Sequence, residues 1–179
     1  SSAVEGATIK LTATPNTDYK LDTWNVKDAN NSVSVNASGE FTMPASNVTV
    51  SATFVSLPKL ATPSELSATE IKPTSATLNW EWSETIYAAQ LSYYYLYIKK
   101  EGDANFTGPI TYTNTSCTRT NLEPNTKYIW KVQAISKETK TVLNSEESTE
   151  SSFTTAELPK HTVSFSTGTG NPTQTDITE

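Results

Sequence analysis

The stretch QLSYYYLYIKK, residues 90–100, places Tyr93, Tyr94, Tyr95 and Tyr97 within five positions. Its aliphatic and aromatic residues favour a strand, and a strand sends alternate side chains to opposite faces. The four rings therefore divide between two faces, so they cannot all serve one core. The neighbouring stretches repeat the two-residue period at short, regular spacing. ELSATE, SATLNWEW, GPITYT, SCTRTNL, KYIWKVQAIS and ESSFTT bring the middle of the chain to seven predicted strands, the pattern of a β-sandwich.

The rest of the chain falls around this centre. Residues 1–56 read as a smaller β-rich domain of short strands. In ATIKLTA, Ile9, Leu11 and Ala13 share a face. YKLDTWNV carries Trp24, and EFTMP carries Phe41 and Met43. NVTVSATF sets Val48, Val50, Ala52 and Phe54 against Thr49, Ser51 and Thr53. TPNTD and DANNS supply turn chemistry between these strands. Residues 57–61 read as a linker, because Pro58 and then Pro63 interrupt ladder pairing. The sandwich domain is assigned to 62–156 and a largely irregular tail to 157–179. Within the tail only HTVSFS alternates, and a lone strand cannot bury its own face. That strand reads as part of a flexible tail, with addition to the first domain of a neighbouring copy as the alternative.

Composition narrows the function. The formal net charge is −6 and Arg119 is the only arginine, so the clustered cations that nucleic-acid binding requires are missing. No apolar run is long enough to cross a bilayer. Cys117 is the single cysteine; it reads as a small packed hydrophobe, and the single histidine, His161, lies far from it. Glu146, Glu147 and Glu150 read as a solvated face rather than a paired-carboxylate site. Asp18, Asp22 and Asp28 lack calcium-loop spacing. Asn36, Asn47 and Asn105 open Asn-x-Ser/Thr triplets of the kind expected by chance in a chain so rich in Asn, Ser and Thr. No phosphate loop, metal cluster or triad is readable, so no catalytic, cofactor-binding or metal residue is assigned. Both ends, SSAVEG and TDITE, read as cut points within a longer chain that holds any signal or anchor.

The middle zone resembles the fibronectin type III family. ATPSELSATEIKPTSATLNWEW is similar to that family's first two strands, with Trp80 at its buried tryptophan. NLEPNTKYIWKVQAIS is similar to its sixth strand, with Leu122 and Pro124 before a tyrosine-corner residue, Tyr128. The resemblance implies an immunoglobulin-like sandwich in which Leu78, Trp80, Tyr94, Leu96, Ile98, Tyr128, Trp130, Val132 and Ala134 point inward. It leaves Tyr93, Tyr95 and Tyr97 outward beside Ile129, Lys131, Gln133 and Ile135. The loop 136–147 lacks an Arg-Gly-Asp triplet, which excludes integrin binding through that motif. EGATIKLTATPNTDYKLDTW and FTMPASNVTVSATF resemble a bacterial surface repeat of the divergent internalin-B type without its first strand, and HTVSFSTGTG resembles the start of another.

These resemblances imply a secreted or cell-surface bacterial protein made of modules. The structural core is expected to comprise Trp80, Leu122, Tyr128, Trp130, Trp24, Phe41 and Met43. Tyr93, Tyr95, Tyr97, Ile129, Lys131 and Gln133 form a candidate ligand face, with cross-strand stabilisation as its plainer role. The expected function is a non-catalytic, cofactor-free spacer or adhesive arm, monomeric, with other modules of the same chain as partners. The alternative is a module that binds polysaccharide or a host surface protein through the tyrosines, including as an accessory to a glycan-degrading enzyme.

Overall fold

A computed structural model describes residues 2–29 and 31–162. The described chain is all-β apart from one short 3₁₀ turn, Ala88–Gln90. The first domain contains β1 (Thr8–Lys10), β2 (Tyr19–Lys27), β3 (Ser32–Val33), β4 (Glu40–Thr42) and β5 (Thr49–Ser56). β1 pairs with β4, and a separate three-stranded sheet runs β3-β2-β5. β3 was not expected: its first residue, Ser32, is the last of the stretch DANNS, which reads as turn chemistry.

The core of this domain is thin. Val26 and Phe41 are buried, whereas Trp24 and Met43, expected in the core, are only half-buried. Trp24 instead walls an open cleft of about 470 Å³ with Leu11, Leu21 and Val35. The expected inner face of β5 departs further, since Val50 and Phe54 remain 40% and 42% exposed. The reason is position: β5 is an edge strand, covered on one side only. So small a domain has little apolar surface to bury.

The sandwich contains β6 (Ser64–Lys72), β7 (Ser75–Glu81), β8 (Leu91–Lys100), β9 (Thr107–Tyr112), β10 (Ser116–Thr120), β11 (Lys127–Ser136) and β12 (Ser151–Thr154). They form one sheet β10-β7-β6 and another β12-β11-β8-β9. Leu78, Trp80, Tyr94, Leu96, Trp130 and Val132 fill the space between the sheets. Trp80 meets Tyr94 edge-on at 5.4 Å and Trp130 at 6.4 Å. Burying each such side chain contributes about 2–3 kcal/mol.

Two local devices complete the sandwich. Asn121 and Asn125 take positive φ of 59° and 47°, a conformation asparagine tolerates well. They fold the turn so that the Glu123 N–H donates to the Tyr128 hydroxyl at 2.9 Å. On β9, Gly108 (φ +127°) passes so close to β8 that a Cβ there would lie 2.8 Å from the Leu96 carbonyl oxygen. The expected strand HTVSFS runs beyond the described residues; His161 and Thr162, its first two positions, lie outside any strand.

Candidate functional site

The outer face of the four-stranded sheet brings the sequence-predicted residues together. Antiparallel register sets Tyr97 opposite Lys131, Tyr95 opposite Gln133 and Tyr93 opposite Ile135, with Ile129 opposite Lys99. The three tyrosines are half-buried rather than openly exposed, because they pack on one another. Tyr93 and Tyr95 lie 5.1 Å apart with rings tilted by 50°, and Tyr95 meets Tyr97 edge-on at 6.3 Å. Phe106, which the sequence reading missed, caps the end of the stripe. Lys99 and Lys131 each place an ammonium over its ring, at 4.8 and 4.6 Å.

The polar groups of this face are engaged internally. The Tyr93 and Tyr95 hydroxyls lie 3.3 Å apart, and that bond is the main cause holding the Tyr93 phenol above its ordinary pKa. Burial, followed by the neighbouring Glu147 carboxylate, raises that of Tyr97. Lys131 pairs with Glu147 and also lies over the Tyr97 ring. The Gln133 side-chain amide donates to the Ser145 carbonyl at 2.8 Å. The rings are mutually inclined, so they form no continuous flat platform. Ile135, expected outward, is buried at 6% exposure. The register stays regular through Ile135 and shifts only between Ile135 and Ser136, so Ile135 stands on the outer face opposite Tyr93 and is covered there.

The stretch carrying Glu146, Glu147 and Glu150, read in the sequence as a solvated face, is tied along β11. Ser145 and Ser148 each donate a backbone N–H to β11, to Ala134 and Val132, at 2.9 and 2.8 Å. Their hydroxyls in turn accept from the N–H groups of the same two residues. Buried serines spaced three apart are the sequence signal for this. Glu146 and Glu147 do face solvent, each paired with a lysine. Cys117 is half-buried against the core, and burial raises its thiol pKa. Among the described residues no group of His, Cys, Asp and Glu is arranged to hold a metal ion.

The junction is the second candidate site, and the sequence reading saw only a linker there. Ser56 still pairs with Tyr19, and the Leu57 N–H donates to the Asp18 carbonyl at 2.7 Å, both within the first domain. The next residue already belongs to the sandwich: the Pro58 carbonyl accepts from the Leu143 N–H at 2.8 Å. Lys59 bridges Leu143 in parallel, and its ammonium pairs with Glu146. Leu60 donates to the Leu143 carbonyl at 3.0 Å, while its side chain lies in the sandwich core at 3% exposure. The Ala61 N–H donates to Glu84 at 3.0 Å, and its carbonyl accepts from the Trp82 indole at 2.7 Å. Every residue from 56 to 61 is thus held by one domain or the other.

Comparison with known proteins agrees with this architecture. The divergent InlB B-repeat domain family matches residues 1–58, and the fibronectin type III domain family matches residues 61–151. Among solved structures, a computationally redesigned β-sandwich protein is 25% identical, with 56% of this chain and 99% of that one covered and a TM-score of 0.46. The fibronectin type III domain of human fibronectin type III domain containing protein 3 is 24% identical, covering 57% of this chain and 90% of that one, with a TM-score of 0.45. No significant match is found among curated proteins. No helix among the described residues is long and apolar enough to cross a membrane. Both matched families point to a surface module rather than a catalyst, and the chain belongs to the fibronectin type III family, its type III domain preceded by a divergent InlB B-repeat.

Proposed function

We propose that this chain is a non-catalytic spacer and presentation arm in a bacterial extracellular protein, with neighbouring modules of the same chain as its partners. The observation that carries this reading is the junction. A linker whose successive residues are bonded into one domain or the other transmits orientation, and a presentation arm needs that property. Where linker backbone is free, modules reorient independently.

Recognition of a polysaccharide or host protein by the tyrosine face is the competing reading. The face offers large rings, but the Tyr93 and Tyr95 hydroxyls, Lys131 and Gln133 already have partners. A ligand would have to displace them, at a cost set by each group left unpaired. An amide chemical-shift titration with soluble polysaccharides, mucin and matrix proteins separates the two. A spacer leaves the amides of residues 93–99 and 129–135 unmoved at millimolar ligand. Saturable shifts confined to those residues would replace the spacer reading with an adhesive one.

A further inference from the structure

Strand β5 is paired on one side, by β2, and no strand among the described residues pairs with its other side. At eight residues it is a long edge. Edge strands are normally blunted by charge, proline, bulges or brevity. The stretch NVTVSATFVSL, residues 47–57, contains no charged residue, proline or glycine. Val50, Phe54 and Val55 expose 40%, 42% and 38% of their surface. They are three of the eight large apolar side chains exposed among the described residues, gathered on one strand. The edge thus combines unpaired backbone groups, apolar side chains and no charge to repel a like strand.

We infer that β5 pairs antiparallel with β5 of a second copy, about a two-fold axis through Ala52. In symmetric antiparallel pairing the axis must pass through a residue, because opposed residues have to point to the same face. With the axis at Ala52, Val50 of one copy opposes Phe54 of the other, and Phe54 opposes Val50. Ser51 opposes Thr53, and Thr49 opposes Val55. Val50 and Phe54, two of the three exposed apolar side chains of each copy, then cover one another, on the face β5 shares with Trp24 and Val26. Hydroxyl meets hydroxyl on the other face at Ser51 and Thr53. An axis at Thr53 would instead set Val50 against Ser56 and Ser51 against Val55, mismatching both faces. The pairing joins two three-stranded sheets into one of six strands, and the sandwich domains leave it at opposite ends.

The interface is one strand pair, far below the roughly 1,600 Å² of a stable complex, and each copy carries a net charge of −6. The association is therefore weak, with a dissociation constant on the order of 0.1–1 mM, and strengthens as salt screens the repulsion. The monomer expected from the sequence is the dilute species.

Sedimentation equilibrium of the full chain up to about 1 mM, with amide spectra over the same range, tests this. The mass should rise toward a dimer, more so at high salt, with exchange broadening concentrated on residues 49–55. The double variant Ser51→Lys with Thr53→Lys opposes like charges twice across the axis, on exposed positions, and should stay monomeric. Ser51→Lys with Thr53→Glu opposes unlike charges twice and should dimerise at least as well as the parent. A parent chain that is monomeric at 1 mM overturns the inference, as does indifference to the two variants. Should either fail to fold, the same charge pairs at Val50 and Phe54 carry the same expectation. Loss of association in a chain ended at Lys160 would assign the added strand to the tail and overturn the β5 pairing.

Discussion

Tyr128 shows how much one hydroxyl contributes. Its ring stacks on Phe153 at 5.7 Å, and its oxygen accepts from the Glu123 N–H across the turn before β11. Tyr128→Phe keeps the ring and strands that N–H, so it should lower stability by about 1 kcal/mol. In a sandwich of this size that is a fall of roughly 4–8 °C in the thermal midpoint, measurable by calorimetry; an unchanged midpoint would mean that water satisfies the donor equally well. This residue was legible because Leu122 and Pro124 precede it as in the tyrosine corner of the type III resemblance. Trp80, Trp130 and Leu122 were legible from strand period together with that resemblance, and all three are buried. The burial of Ile135 was not legible: alternation placed it outward, where the register opposite Tyr93 keeps it, but single-strand periodicity does not tell whether an outer position is covered.

At the scale of elements, the strands of the sandwich follow from alternation, whereas the segments between them do not. Glu84 illustrates the difference. Its carboxylate accepts from the N–H groups of Tyr87 at 3.2 Å, Ala61 at 3.0 Å and Ile86 at 2.9 Å. These bonds, that from Tyr87 foremost, hold its pKa below the ordinary carboxylate value against an opposing effect of burial. A carboxyl depressed in the folded state stabilises the fold above its unfolded pKa, and the contribution is lost as pH falls through the folded one. Glu84→Gln should therefore be less stable than the parent near neutral pH, and the gap should close below about pH 4. Urea midpoints across that range give the answer, and a gap independent of pH would show that the carboxylate's charge plays no part. In sequence Glu84 is one acid in a polar loop, with nothing to connect it to Ala61. The pairing of residues 144–148 along β11 was hidden for the same reason: serine hydroxyls replace part of the ladder, and the expected strand pattern disappears. β5 was read as half-buried because its alternation is clean, but alternation does not tell an edge from a centre.

At the scale of the molecule, the order of the two domains was legible from their family resemblances, while the character of their joint was not. Two prolines in a short stretch mark a break in strand pattern. They give no sign that Leu60 enters the sandwich core or that Leu143 receives the chain on both sides of Lys59. Those contacts make the junction part of the fold and support the reading of the chain as a presentation arm. The most direct test is ¹⁵N relaxation of the intact chain, kept dilute so that copies do not pair. The account predicts one rotational correlation time for the strands of both domains, with order parameters near 0.85 from Leu57 to Ala61. Two separate, shorter correlation times, or order parameters below about 0.6 across those residues, would contradict it and reduce the junction to a flexible tether.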